Sequence, residues 1–268
     1  MILEVKNLSV YFREGKNLKN IINNISFGVK ENKCLGILGE SGSGKSITCK
    51  AVMGLVNNNF AVSGQALFKG RDILALNKKE KEELRGKSIC MIIQNPMTAF
   101  NPLFTIGNTV IETFKAHLTI TKDEAEKLAE DSFIKMNLNN PKEIMKKYPH
   151  ELSGGMLQRI MIAITIALKP DLIIADEPTT AIDCLNVVEV IKEFKQMKDI
   201  LNTSMIFISH DLSVLSAISD EIMVMNSGEI LEYGSKESII NNSKDDHTKY
   251  LIDTRMKLLK KFKDAVKE

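Results

Sequence analysis

The sequence predicts an α/β fold with an inserted helical lobe, and three observations carry that expectation. A short apolar run, Cys34-Leu35-Gly36-Ile37-Leu38, leads into a glycine-rich stretch from Gly39 to Ser46 and then into a helical pattern from Ile47 to Leu55. Two later apolar runs deliver polar residues at their ends: Leu172 to Ala175 is followed by Asp176 and Glu177, and Ser204 to Ser209 by His210. Short buried strands that alternate with helices are the pattern of a parallel sheet, which places its ligands at the strand C-termini. Between these runs, residues 96–150 change character. Pro96, Pro102, Pro141 and Pro149 punctuate them, and residues 122–136 carry a charged helical pattern, which reads as a helical insertion rather than part of the sheet.

Along the chain, residues 2–12 alternate as a half-buried strand and residues 21–29 suggest a second, with Gly15 in the turn between them. Tyr11 and Phe12 close the first strand, where an aromatic ring either stacks on an adenine or packs within the sheet. Ala66-Leu67-Phe68 and Ile89 to Ile93 read as strands, and the mixed-charge residues 72–85 as a solvated helix. Gln94 ends the second of these strands, and Asn95-Pro96 blocks continuation as helix. Leu152-Ser153-Gly154-Gly155-Met156-Leu157-Gln158-Arg159 opens a helix that is almost wholly apolar from Ile160 to Leu168 and is stopped by Pro170. Ser153 is its expected N-cap, and the two glycines leave the first-turn N–H groups bare.

A helix is expected from about 186 to 201, and a hairpin joins Glu221–Met225 to Glu229–Glu232 through Asn226-Ser227-Gly228. In the tail, Ile252, Met256, Leu259, Phe262 and Val266 recur at helical spacing, with Lys257, Lys260, Lys261 and Lys263 between them. Such a helix packs on its own protein, the expected reading, or lays a basic face against anionic lipid.

The chemistry gathers at the strand ends. Gly39-Glu40-Ser41-Gly42-Ser43-Gly44-Lys45-Ser46 fits the G-x-x-x-x-G-K-[ST] pattern in the strand–loop–helix setting that makes it a phosphate-binding loop. Glycines let successive backbone N–H groups turn inward, and the helix N-terminus adds its partial positive charge. Lys45 is expected on the β- and γ-phosphates and the Ser46 hydroxyl on Mg²⁺. Adjacent carboxylates at a strand tip repel each other unless a cation is near. Asp176 suits Mg²⁺, and Glu177 suits polarising the water that attacks a γ-phosphate. His210, beside such a site, has the γ-phosphate within its expected reach.

Composition narrows the classes. The chain has 268 residues, 44% of them hydrophobic and 26% charged, which is ordinary for a globular protein with one large core or a core plus an inserted lobe. A net charge of +2 does not argue for a nucleic-acid partner. Cys34, Cys49, Cys90 and Cys184 are widely spaced without a C-x-x-C pair and read as reduced thiols. The 13 methionines form no ligand cluster and read as core filler. The first residues carry charge at once, so no signal peptide is expected, and no apolar run approaches a membrane span.

Taken as an ordered set, Gly39–Ser46, Gln94, Leu152–Arg159, Leu172–Pro178, Thr180–Asp183 and His210 resemble the ATP-binding subunit of an ABC transporter, over nearly the whole chain. The resemblance implies a P-loop NTPase (RecA-like) core, about 1–95 and 160–235, with an antiparallel β subdomain, a helical subdomain at about 96–159 and a helical tail at about 236–268. It implies ATP and Mg²⁺ as ligands. Nucleotide contacts would come from Phe12 (or Tyr11), Gly39, Glu40, Ser41, Gly42, Ser43, Gly44, Lys45, Ser46 and Ile47. Metal contacts would come from Ser46, Gln94 and Asp176, and catalytic roles would fall to Glu177, His210 and Gln94. Ser153, Gly154 and Gly155 look like the signature that grips a partner's ATP, and Asp183 belongs to a loop that crosses the dimer interface.

Within that family the motifs are most similar to the nickel and oligopeptide importers, on Gln94-Asn95-Pro96-Met97-Thr98, Asn101-Pro102, Leu-Ser-Gly-Gly-Met and Glu177–Ala181. Peptide-transporting members often carry a longer tail with His-Pro-Tyr-Thr and clustered cysteines. Here only His247-Thr248-Lys249-Tyr250-Leu251 echoes it, so nickel or a metal chelate is the expected cargo and an oligopeptide or dipeptide the alternative. Ile182 replaces the commoner Leu of the crossing loop, a mild change. The expected partners are a second homologous ATP-binding subunit in a heterodimer, two transmembrane permease subunits and an extracytoplasmic solute-binding protein, with this chain peripheral on the cytoplasmic face of the membrane. A non-transport ATPase of chromosomes or DNA repair is the remote alternative. Those insert long coiled coils between the phosphate loop and the signature, and no sustained heptads occur there.

Overall fold

A computed structural model describes residues 1–15, 17–179 and 184–254. These form two compact units, one of Met1–Asn77 with the chain from Ile206 onward, the other of Lys78–Met205.

The first unit opens with strands β1 (Leu3–Glu14) and β2 (Asn17–Val29), followed by β3 (Cys34–Leu38), helix α1 (Lys45–Val52), and strands β4 (Phe60–Phe68) and β5 (Arg71–Asp72). β1, β2, β4 and β5 make an antiparallel sheet in the order β2-β1-β4-β5. The ladder slips at Asn7 and Asn24, both left-handed at φ +50° and +49°. Asn is among the residues that tolerate this conformation best. Serine hydroxyls accept the displaced N–H groups there: Asn7 N donates to Ser26 Oγ at 2.9 Å and Asn24 N to Ser9 Oγ at 3.0 Å.

The sheet extends further than the apolar runs suggested. β2 begins at Asn17, where four exposed residues pair with the end of β1, and β4 begins at Phe60, opposite Phe12. The charged stretch after β4 is shorter as a helix than expected. Arg71 and Asp72 instead pair with β4, and Asp72 Oδ1 accepts from Ala66 N at 3.1 Å and Leu74 N at 3.0 Å. A carboxylate that satisfies two backbone donors holds the chain in a turn and delays the helix.

The second unit contains α2 (Lys78–Leu84), β6 (Ile89–Ile92), α3 (Ile106–His117), α4 (Lys122–Lys135), α5 (Pro141–Lys146), α6 (Gly154–Leu168), β7 (Leu172–Asp176), α7 (Cys184–Leu201) and the start of β8 (Ser204–Ser209). The expected helix at 122–136 is α4. Its start is fixed by a capping box in which Thr121 accepts from Glu124 N and Glu124 Oε2 accepts from Thr121 N at 2.8 Å. Those hydrogen bonds hold the exposed Glu124 carboxyl below the usual carboxylate range. α3 starts on Thr105, whose side chain accepts from Asn108 N without the reciprocal bond. Phe114, Phe133, Leu157 and Ile160 are fully buried and join α3, α4 and α6 into one core. β6 and β7 run parallel, with Ile92 opposite Ala175.

Returning to the first unit, β8 leads to α8 (Leu212–Ile218), β9 (Glu221–Asn226), β10 (Glu229–Ser235) and α9 (Lys236–Asn242). Its strands run in the order β10-β9-β3-β8, with β3 parallel to β9 and wholly buried. The expected hairpin is β9–β10. Ser227 and Gly228 take φ of +49° and +81°, the two positive values that a tight primed turn requires. Among the described residues no helix is long and apolar enough to cross a membrane. The expected basic tail helix falls on residues 255–268, outside the described residues, apart from Ile252, which is buried.

Candidate functional site

The glycine-rich loop leaves β3 and enters α1 as the sequence predicts. Gly44, the N-cap, sits at φ +103°, and a Cβ there would lie 2.5 Å from Ile22 Cδ1. The cap makes no side-chain hydrogen bond, and the first turn of α1 holds no acidic residue. The helix N-terminus therefore directs its partial positive charge at the loop with no acidic side chain to offset it. Lys45 is only 4% exposed. Its Nζ donates to the carbonyl oxygens of Gly39 at 2.9 Å and Glu40 at 2.8 Å, which draws the ammonium back over the loop. Thr48 Oγ1 donates to Gly44 O at 2.8 Å and fixes the far end.

One support was not legible in the sequence. The tip of the β9–β10 hairpin clamps the loop, because Gly228 N donates to Ser43 O at 3.0 Å while Gly228 O accepts from Asn23 N at 2.9 Å. A Cβ on Gly228 would come within 2.1 Å of Ile21 O, so no other residue allows this approach. The residues thus fit a polyphosphate: a ring of backbone donors, a helix N-terminus and one enclosed ammonium, all held from outside the loop.

Phe12 is half-buried and meets the Phe60 ring edge-on, centroids 5.3 Å apart. Alternation along β1 puts Tyr11 on the opposite face, so the two aromatics are not interchangeable. Phe60 went unnoticed in the sequence because its partner is set by strand register alone. His210 is exposed directly after β8, and the next residue, Asp211, caps α8 by accepting from Ser213 N at 2.8 Å.

In the second unit, the parallel pairing of β6 and β7 brings the residues beyond their ends together. Gln94 Nε2 donates to Glu177 Oε2 at 3.2 Å, which leaves the amide oxygen to accept or ligate. Asp176 is 4% exposed at the end of β7. Glu177 is left-handed at φ +44°. Among the described residues, most of the other non-glycine residues in that region of φ are Asn. A left-handed Glu costs about 1 kcal/mol, strain of a kind that collects at functional sites.

At the start of α6, Ser153 is the N-cap, its Oγ accepting from Met156 N at 3.3 Å. That bond uses one acceptor lone pair and leaves the hydroxyl proton to donate elsewhere. Gly155 has helical backbone, and a Cβ there would meet nothing within 4 Å. Neither its own conformation nor its neighbours require glycine, so the surface at this helix end is open. Asp183 lies outside the described residues.

Among the described residues no three His, Cys, Asp or Glu side chains gather as a metal cage. Within the second unit, the Asp176 carboxylate and the Gln94 amide oxygen are hard oxygen donors of the kind that suits a hard cation. Cys34, Cys49 and Cys90 are buried thiols outside any disulfide, and burial pushes Cys90 up to about 12, so it is no nucleophile at neutral pH.

The chain is similar to known proteins. The family model described as ABC transporter matches residues 22–180. The chain is 40% identical over 266 residues to the metal-staphylopine import system ATP-binding protein CntD of Staphylococcus aureus, covering 99% of this chain and 97% of that one. It is 39% identical over 255 residues to the dipeptide transport ATP-binding protein DppD of Lactococcus lactis, covering 94% and 73%. A dimeric ATP-binding cassette solved in a post-hydrolysis state with ADP and Pi superposes with a TM-score of 0.78 at 23% identity, over 87% of this chain and 98% of that one. The expected α/β nucleotide-binding fold is borne out.

Proposed function

This chain belongs to the ABC transporter family as an ATP-binding, ATP-hydrolysing subunit, and from that premise we propose that it drives import of a metal–chelate complex. The observation that carries the chemical part is the Gln94–Glu177 hydrogen bond at a strained strand end, which holds one carboxylate ready to act as a base. In this reading the backbone of Gly39–Ile47, including Glu40 and Ser41, wraps the phosphates, Lys45 neutralises their charge and Phe12 stacks on the adenine. Ser46, Asp176 and Gln94 would hold Mg²⁺, which would supply neutralisation of the phosphate charge. Glu177 takes the proton of the attacking water, and His210 contacts the γ-phosphate.

Lys45 and Ser153 belong to different compact units. We infer that the Ser153–Gly155 donors complete the site of a second, homologous chain, with Asp183 at the shared face. Hydrolysis then alternates two states of the pair, and the helical lobe passes that motion to two membrane permease subunits on the cytoplasmic face. Lys45→Ala should lower ATP affinity by about tenfold to a hundredfold, since it removes a buried cation from the ground-state phosphates. Fluorescent nucleotide titration checks this, and unchanged affinity would remove Lys45 from the site.

For the cargo, the supporting observation is the match to nearly the whole of the metal-staphylopine import protein, against 73% of the dipeptide protein. Deleting the gene should cut cellular nickel or a related divalent metal under scarcity, measured by elemental mass spectrometry. Unchanged metal content with new resistance to toxic peptides would instead establish peptide import.

A further inference from the structure

The second unit contains a cavity of about 620 Å³ that nucleotide chemistry does not use. It opens where the C-terminal ends of α4 and α6 meet the last turns of α7. Its apolar wall includes Leu128, Ile166 and Met197, of which Met197 is 1% exposed. Lys135 and Lys169 are exposed and stand in its lining. Among the described residues neither ammonium has an ion-pair partner. Glu193 also lines the cavity, but its carboxylate is engaged by Arg159, whose Nε lies 3.4 Å from Oε1. The volume falls within the range of small-molecule sites, about 300–1,000 Å³. An apolar chamber with two ammonium groups at its edge that lack an ion-pair partner suits an apolar body that carries a negative group.

We propose that this cavity is a regulatory site for a small apolar molecule bearing one carboxylate, sulfonate or phosphate. α6 connects it to the proposed nucleotide contacts: the cavity touches Ile166, Ala167 and Lys169, and the opposite end of the same 15-residue helix carries Ser153–Gly155. A helix of that length spans about 22 Å as a rigid rod, so a displacement at one end moves the other. The Glu193–Arg159 ion pair is a second link, because Arg159 lies one turn beyond Gly155. The coupling rests on the reading of Ser153–Gly155 given above, whereas the binding site does not.

The probe is 8-anilinonaphthalene-1-sulfonate, added to the full chain and followed by fluorescence. One saturable site is expected. Lys135→Glu with Lys169→Glu should weaken it by at least about tenfold, and Ala167→Trp, which fills the chamber, should abolish it. Nucleotide affinity measured on the same samples should stay unchanged, which shows that the variants are folded. No saturable binding, or binding that all these substitutions leave within about twofold, overturns the site. With the assembled pair, the probe should change ATP turnover in wild type and not in the lysine variant. Binding without any effect on turnover overturns the regulatory role, and binding by a pair in which Ser153 variants hydrolyse ATP normally would overturn the signature reading instead.

Discussion

Glu177→Gln is expected to bind ATP with wild-type affinity and to hydrolyse it about a hundredfold to ten-thousandfold more slowly, the range a general base contributes. The substitution keeps shape and volume. The new amide oxygen can still accept from Gln94 Nε2, now 3.2 Å from the carboxylate, and the backbone at φ +44° treats Glu and Gln alike. Only the proton acceptor is lost. Glu177→Gly provides a companion result with an opposite sign in stability. It should hydrolyse no faster than Glu177→Gln, yet resist unfolding by about 1 kcal/mol more than wild type, because glycine relieves the left-handed backbone. Single-turnover phosphate release and denaturant titration measure the two effects. Near-normal turnover in Glu177→Gln would remove this residue as the base, and a destabilised glycine variant would show that the strain is not held where the backbone places it.

Ser153→Arg is expected to silence the site built on the partner's phosphate loop while ATP still binds at Lys45 of the same chain. The mutant chain is mixed with its wild-type partner, and each site is followed separately. The loss combines two effects, because Ser153 both caps α6 and donates toward the proposed phosphate. Removing a cap costs about 1 kcal/mol, which is small beside the loss of an oxyanion-type donor, about 3 kcal/mol. Ser153→Asp separates them. Aspartate caps a helix as well as serine does, so α6 should keep its stability, but the carboxylate repels a γ-phosphate and turnover should fall as far as with arginine. If Ser153→Arg instead blocks ATP binding by the isolated chain, the signature acts on its own nucleotide and the two-chain site is wrong.

What the sequence by itself determined was whatever depends on neighbours along the chain. The phosphate loop, the Ser153 cap and the Asn226-Ser227-Gly228 turn are each specified by residues within a few positions, since backbone sterics and local hydrogen bonds act at that range. The buried runs that deliver Asp176, Glu177 and His210 were legible for the same reason, because burial on both faces needs an unbroken apolar string.

The tertiary structure alone decided which distant groups meet. The polar start of β2 carries no hydrophobic alternation and becomes a strand only because the end of β1 supplies its hydrogen bonds. Phe60 becomes the partner of Phe12 through register, and one residue of slip would turn it to the other face. The clamp from Gly228 to Ser43 spans most of the chain, and Gln94 reaches Glu177 only because β6 and β7 are parallel neighbours. The strain at Glu177 belongs to this second group as well. No propensity places glutamate at a positive φ; the strand before it and the Gln94 contact beside it hold it there, and the surrounding fold offsets the cost.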